Sequence, residues 1–113
     1  MNERIKKLWL EALRSGEYKQ TKNYLRTGDG FCCLGVLCDL HSRETGHDWD
    51  EVDGSYLYNI DDDSQTLPDD VKLWAGLNEN NPQPQLADDN LATLNDQKEM
   101  TFGEIASLIE AGL

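Results

Sequence analysis

Hydrophobic positions along the chain fall into short separate clusters, and the spacing inside each cluster predicts a conformation. Ile5, Leu8, Trp9, Ala12 and Leu13 recur at i, i+3, i+4, i+7 and i+8, the stripe of one helical face, with Asn2 placed to cap the start and Gly16 just past the end. Tyr24-Leu25-Arg26 and Phe31-Cys32-Cys33 flank Thr27-Gly28-Asp29-Gly30, whose glycines predict a short β-hairpin. Helical spacing then resumes through Leu34, Leu37, Cys38 and His41 to a stop at Gly46, so the second strand leads into a buried helix. The stretch Phe31 to Leu40 is the longest apolar run in the chain and marks the centre of the core.

Beyond that helix the pattern weakens. From His47 to Gln65, seven acids are interleaved with Trp49, Val52, Tyr56, Leu57, Tyr58 and Ile60, and Gly54 divides the segment; short irregular strands or loops pinned by aromatic rings are expected. Leu67-Pro68-Asp69-Asp70 reads as a helix start with proline at the first position, followed by a stripe of Val71, Trp74 and Leu77 and an end near Gly76. Asn78 to Gln85 is turn-rich and is expected to be the most flexible loop. Asp88 or Asp89 would cap a short helical segment through Leu91 and Leu94, Asn95-Asp96 would turn, and Thr101-Phe102-Gly103-Glu104 is a capping box that opens a last helix with Ile105, Ala106 and Ile109 on its face. The expected fold is α+β, a helix-rich single domain over residues 1–113 with one short β-hairpin. Trp9, Leu13, Leu34, Leu37, Trp74, Ile105 and Ile109 should meet in one core.

Charge changes the picture more than composition does. The formal net charge is −12 over 113 residues, but it is split: Met1 to Arg26 holds seven basic residues against three acids, and Thr27 to Leu113 three against nineteen. Such an excess of negative charge repels nucleic acid at long range, so direct nucleic-acid binding is not expected. No apolar run approaches the ~20 residues of a membrane span, and the charged start lacks the apolar core of a signal peptide. Three cysteines, two of them adjacent, fit reduced thiols and a cytoplasmic protein better than a disulfide framework.

Candidate chemistry is sparse. Cys33 or Cys38 with His41 or His47 would make a nucleophile and base, but both cysteines lie on the apolar run, where a packed thiol is the simpler reading. Zinc spacing is incomplete because Cys32 and Cys33 are adjacent, and the calcium-loop pattern fails at Val52 and again at Asp61-Asp62-Asp63, so neither metal nor cofactor is expected. More suggestive are Arg14, Tyr18, Lys19, Lys22, Tyr24 and Arg26, since cations beside aromatic rings suit an anionic ligand that carries a base or ring. The alternative surface is the acidic triplet Asp61, Asp62 and Asp63, which would face a basic protein.

The pattern Trp9-x-x-Ala12-Leu13-x-Ser15-Gly16-x-Tyr18-x-Gln20, then Cys32-Cys33-Leu34-Gly35-Val36-Leu37-Cys38-Asp39, Leu67-Pro68 with Trp74, Leu91-x-x-Leu94-Asn95-Asp96 and Phe102-x-x-Ile105-Ala106-x-x-Ile109 resembles a family of small proteins encoded by bacteriophages and bacterial genomes. The resemblance spans nearly the whole chain and carries no settled activity. By analogy with phage accessory proteins it implies a stoichiometric anti-defence protein that binds a host protein or sequesters an anionic, nucleotide-like ligand. A small cysteine-dependent enzyme and an assembly protein without a ligand are the alternatives; self-association stays open.

Overall fold

The computed structural model describes residues 1–58 and 64–113. Helix α1 spans Glu3–Arg14, strands β1 and β2 are Arg26–Thr27 and Gly30–Phe31, and helix α2 is Cys33–Thr45. Strands β3 (Asp50–Val52) and β4 (Ser55–Leu57) follow, then helices α3 (Asp69–Ala75), α4 (Leu91–Asp96) and α5 (Phe102–Gly112). The fold is α+β and helix-rich, with five helices and two separate two-stranded antiparallel sheets among the described residues. Helix α1 packs on α5 and α2, and α2 in turn meets α3 and α4, so the apolar run of α2 lies at the middle of the core.

Local signals explain most boundaries. The Asn2 side chain accepts the Ile5 amide at 3.1 Å to cap α1. The Thr101–Glu104 box is complete, each side chain taking the other's backbone N–H. Gly46 and Gly76 end α2 and α3 in left-handed conformations. Of the seven residues expected to share one core, Trp9, Leu13, Leu34, Leu37, Ile105 and Ile109 do so, while Trp74 is only half-buried against its edge. The indole of Trp74 has a polar partner at the rim, donating to Glu44 at 2.5 Å, and sits edge-on to His41.

Other differences have specific causes. The strand expected over Phe31-Cys32-Cys33 stops at Phe31, because Cys32 becomes the cap of α2, its Sγ accepting from Gly35 N at 3.4 Å. The middle segment forms a second hairpin rather than irregular pieces, with Val52 paired to Ser55 across Asp53 and Gly54. Both turn residues take positive φ, 52° and 82°, as the tight turn matching strand twist requires. Pro68 is the cap of α3 rather than its first residue, and Asn90, not Asp88 or Asp89, precedes α4. Helix α4 runs through Asn95 and Asp96. The loop expected to be flexible is tied down through Asn80, which pairs with Leu67 by backbone (2.9 Å) and side chain (2.7 Å).

A buried polar knot joins the two ends of the fold. Asn95, with no exposed surface, accepts Cys33 N–H at 3.2 Å and Gln20 Nε2 at 2.8 Å, and donates to Thr21 C=O at 2.8 Å. Gln20 also donates to Met100 C=O at 2.8 Å and accepts Phe102 N–H at 3.2 Å. Two helix starts, α2 and α5, thus receive caps from side chains remote in sequence.

Gly35 is required by packing: a Cβ there would stand 1.7 Å from the Leu25 carbonyl oxygen. Gly35→Ala is expected to destabilise by about 3 kcal/mol or more, since the obstacle is backbone. Asn95→Ala strands a buried amide and a carbonyl and should cost about 2–4 kcal/mol. Urea unfolding followed by circular dichroism measures both; a wild-type midpoint for Gly35→Ala would show that Leu25 does not press on α2.

Candidate functional site

The six basic and aromatic residues singled out in the sequence do not form one site. Arg14 reaches from the end of α1 to Glu110 on α5 with two bonds of 3.2 and 3.3 Å, and Lys22 pairs with Glu99 at 2.9 Å. Both carboxyls are held below their ordinary range by these bonds. The pairs are solvent-exposed, so each contributes little stability, but each occupies its cation. Lys19 is exposed, and its backbone carbonyl takes the Phe31 amide at 2.8 Å.

Tyr24 and Arg26 do come together, at the two hairpins, and Tyr18 adjoins Arg26 only through Phe31. The Arg26 guanidinium carbon lies 4.2 Å from the ring centre of Tyr56, 5.1 Å from Phe31 and 5.4 Å from Trp49. Three ring faces or edges around one half-buried cation fix its direction and hold its charge by the ring quadrupoles. Tyr18 packs edge-on to Phe31 at 5.1 Å. Tyr24, Arg26, Ser55, Tyr56, Leu57 and Ser64 line a cavity of about 130 Å³.

Asp39, to which no role was attached from sequence, organises this face. Its Oδ2 accepts the Tyr18 hydroxyl at 2.5 Å and pairs with Arg43 Nε at 3.2 Å, while Oδ1 accepts the Trp49 indole N–H at 3.2 Å. Burial and the neighbouring carboxylate push the Tyr18 hydroxyl well above its ordinary pKa, so it remains a donor. The readable signal was an acid inside an otherwise apolar run on α2. From Trp49 the rings continue to Tyr58 (4.9 Å), His47 and His41 (4.6 and 5.5 Å from Tyr58) and Trp74 (5.0 Å from His41). His41 Nδ1 is 2.5 Å from the Tyr58 hydroxyl, and His47 Nε2 is 2.7 Å from the Tyr58 carbonyl.

The rim of this face is acidic. Asp48, Asp50, Glu51 and Asp53 are exposed on the β3 hairpin, with Val52 exposed between them. Asp61, Asp62 and Asp63 lie outside the described residues. Among the described residues, no group of three His, Cys, Asp or Glu side chains is placed to hold a metal ion.

All three cysteines are buried and free. Desolvation pushes Cys32 up to about 12 and raises Cys33 and Cys38 well above the ordinary thiol range. His41 meets Tyr58 through Nδ1. A nucleophilic cysteine needs the opposite shift.

The thiols are therefore expected to react with a thiol reagent at pH 8 only as fast as the protein opens; rapid native-state labelling of any one would contradict their placement. His41 gives a pH dependence of known sign. Burial, then His47, lowers its pKa below 6.5, so the folded state resists a proton that the unfolded chain accepts. Stability from this group is complete above about pH 6.5 and falls as pH drops below it. Denaturation midpoints at pH 7.5 and 5.5 should show that loss in the wild type and a smaller one in His41→Gln.

The family model described as a domain of unknown function (DUF8296) matches residues 1–113, and the chain belongs to that family. No curated protein and no solved structure matches the chain.

Proposed function

We propose that this member of the family is a phage-type accessory protein that acts stoichiometrically, in the host cytoplasm, by docking a basic host protein on the face built by the two hairpins. The observation that carries the reading is Arg26 stacked among Phe31, Trp49 and Tyr56, the last on a hairpin whose carboxylates are exposed and whose Glu51 is paired across from Tyr56. Arginine and aromatic residues are the side chains enriched at the energetic centres of protein interfaces, where preset orientation lowers the entropy lost on binding. Acids around such a centre select and steer a partner of opposite charge. The net charge of −12 acts in the same direction over longer range. A phage context is supported by the sequence pattern alone.

A second reading, an anionic nucleotide-like ligand at Tyr24, Arg26 and Tyr56, is favoured by the cavity they line. Its size favours the protein reading. About 130 Å³ is below the roughly 300–1,000 Å³ of sites that enclose a small-molecule ligand, whereas a protein surface needs no enclosure. Arg14 and Lys22, engaged with Glu110 and Glu99, are not part of either version.

The test is native mass spectrometry of tagged protein from producing cells, followed by titration of whatever is retained. Arg26→Ala and Tyr56→Ala should each weaken partner binding by about 2 kcal/mol or more, and Arg14→Ala should not. Neutralising Asp48, Asp50 and Glu51 together should slow association and flatten its salt dependence. A retained nucleotide that Arg26→Ala releases would establish the second reading, and affinity for a protein indifferent to all these changes would exclude the hairpin face.

A further inference from the structure

The chain has two histidines, and the fold brings both to the place where the second hairpin is fastened. His41, on α2 and 8% exposed, has its ring flanked by Tyr58 just after β4 and by Trp74 of α3, at 5.5 and 5.0 Å between ring centres. His47 lies on the way into β3, its ring centre 6.4 Å from that of His41 and 4.6 Å from that of Tyr58.

Both ends of the hairpin are held on α2 here. At the entry, Ser42 Oγ donates to His47 C=O and Thr45 Oγ1 accepts His47 N–H at 3.4 Å. At the exit, the buried Tyr58 hydroxyl is 2.5 Å from His41 Nδ1, and Tyr58 C=O accepts from His47 Nε2 at 2.7 Å. Burial pushes the Tyr58 hydroxyl well above its ordinary pKa, so its O–H is the donor and a neutral His41 Nδ1 the acceptor. A proton on Nδ1 puts two donors face to face.

The charges around His41 add to this. With the hairpin seated, burial under Tyr58 and the approach of His47 both oppose a charged ring. Glu44 on α2 and Asp70 on α3 favour one, Glu44 being itself bonded to Arg4 of α1 at 2.6 Å, and the Cys38 thiol stays neutral. The acids sit on helices, whereas Tyr58 and His47 belong to the ends of the hairpin.

We propose that His41 is an acid-sensitive latch for the second hairpin: when its ring takes a proton, Tyr58 and His47 let go of α2, and residues 47–58 detach while the helices hold. The segment is suited to leave alone, since β3 is exposed throughout and its other ties are the Trp49 indole on Asp39 at 3.2 Å and the rings around Arg26. Detached, His41 is solvated and takes its proton near the ordinary value of about 6.5; seated, it does so lower. The hairpin is therefore latched above about pH 6.5 and released progressively below it. Release carries Trp49 and Tyr56 away from Arg26 and so dismantles the face proposed above for docking; that consequence rests on the docking reading, and the latch itself does not.

The test is a pH series from 7.5 to 5.0 on the free protein, reading backbone amide and indole signals by NMR together with the histidine rings. Signals of residues 50–57 and of the Trp49 indole should move to unfolded positions below pH 6.5 with the midpoint of the His41 ring, while those of α1 and α5 stay. His41→Gln, which takes no charge, should keep the hairpin signals in place to pH 5.0. Hairpin signals that stay while His41 titrates, helix signals lost together with them, or the same opening in His41→Gln would each overturn the latch. If His41→Gln is already open at pH 7.5, the wild type decides: hairpin and His41 midpoints more than about half a pH unit apart overturn the latch and coincident ones uphold it. No partner is present, so failure of the latch leaves the docking reading intact, and failure of docking leaves the latch intact.

Discussion

The hydrogen bonds of the buried Asn95 side chain set the position of everything that carries the candidate site. A helix that starts inside a protein has amide groups that water cannot reach, and leaving one unpaired would cost about as much as a large part of a small domain's stability. Asn95 takes the first amide of α2, and the same carboxamide holds Thr21 and Gln20, which in turn receives the first amide of α5. The segment between α1 and the first hairpin is thereby fixed against two helix starts. With α2 and that segment in register, Tyr18 comes to Asp39.

From Asp39 the effect spreads through rings. One carboxylate, with only 14% of its side chain exposed, orients a tyrosine after α1, an indole just before β3 and a guanidinium one turn further along α2. Phe31 and Trp49 are consequently presented to Arg26, with Tyr56 closing from the second hairpin. That hairpin buries little of its own, β3 being exposed throughout, and it is fastened to the body at its ends by Trp49 and by the His47–Tyr58 bond. A short exposed hairpin on an aromatic base can present charged side chains without much apolar burial of its own.

Electrostatics of the folded chain differ from those of the linear one. The basic first quarter of the sequence suggests a cationic face, yet Arg4, Arg14 and Lys22 are each placed against an acid from later in the chain. Such exposed pairs add little to stability. Their effect here is to cancel much of the positive end, while the carboxylates of the β3 hairpin face solvent.

The sequence by itself determined the helices, the first hairpin and most of the core, because those depend on interactions among residues a few positions apart. The stripe of α1 with Asn2, the Thr101–Glu104 box and the Gly46 and Gly76 stops are local. Asp53-Gly54 was an equally local turn signal, masked by the acidic residues around it. Only the tertiary structure decided that Cys32 would cap a helix and not extend a strand, that Trp74 would sit at the rim with Glu44, and that Arg14 and Lys22 would be paired while Arg26 would not lie with them. It also assigned Asp39 its three partners. Apart from the Cys32 cap and the Asp39–Arg43 pair, these outcomes join groups ten to ninety-six residues apart, and no periodicity or motif encodes which distant partner a polar side chain will meet once the core has closed.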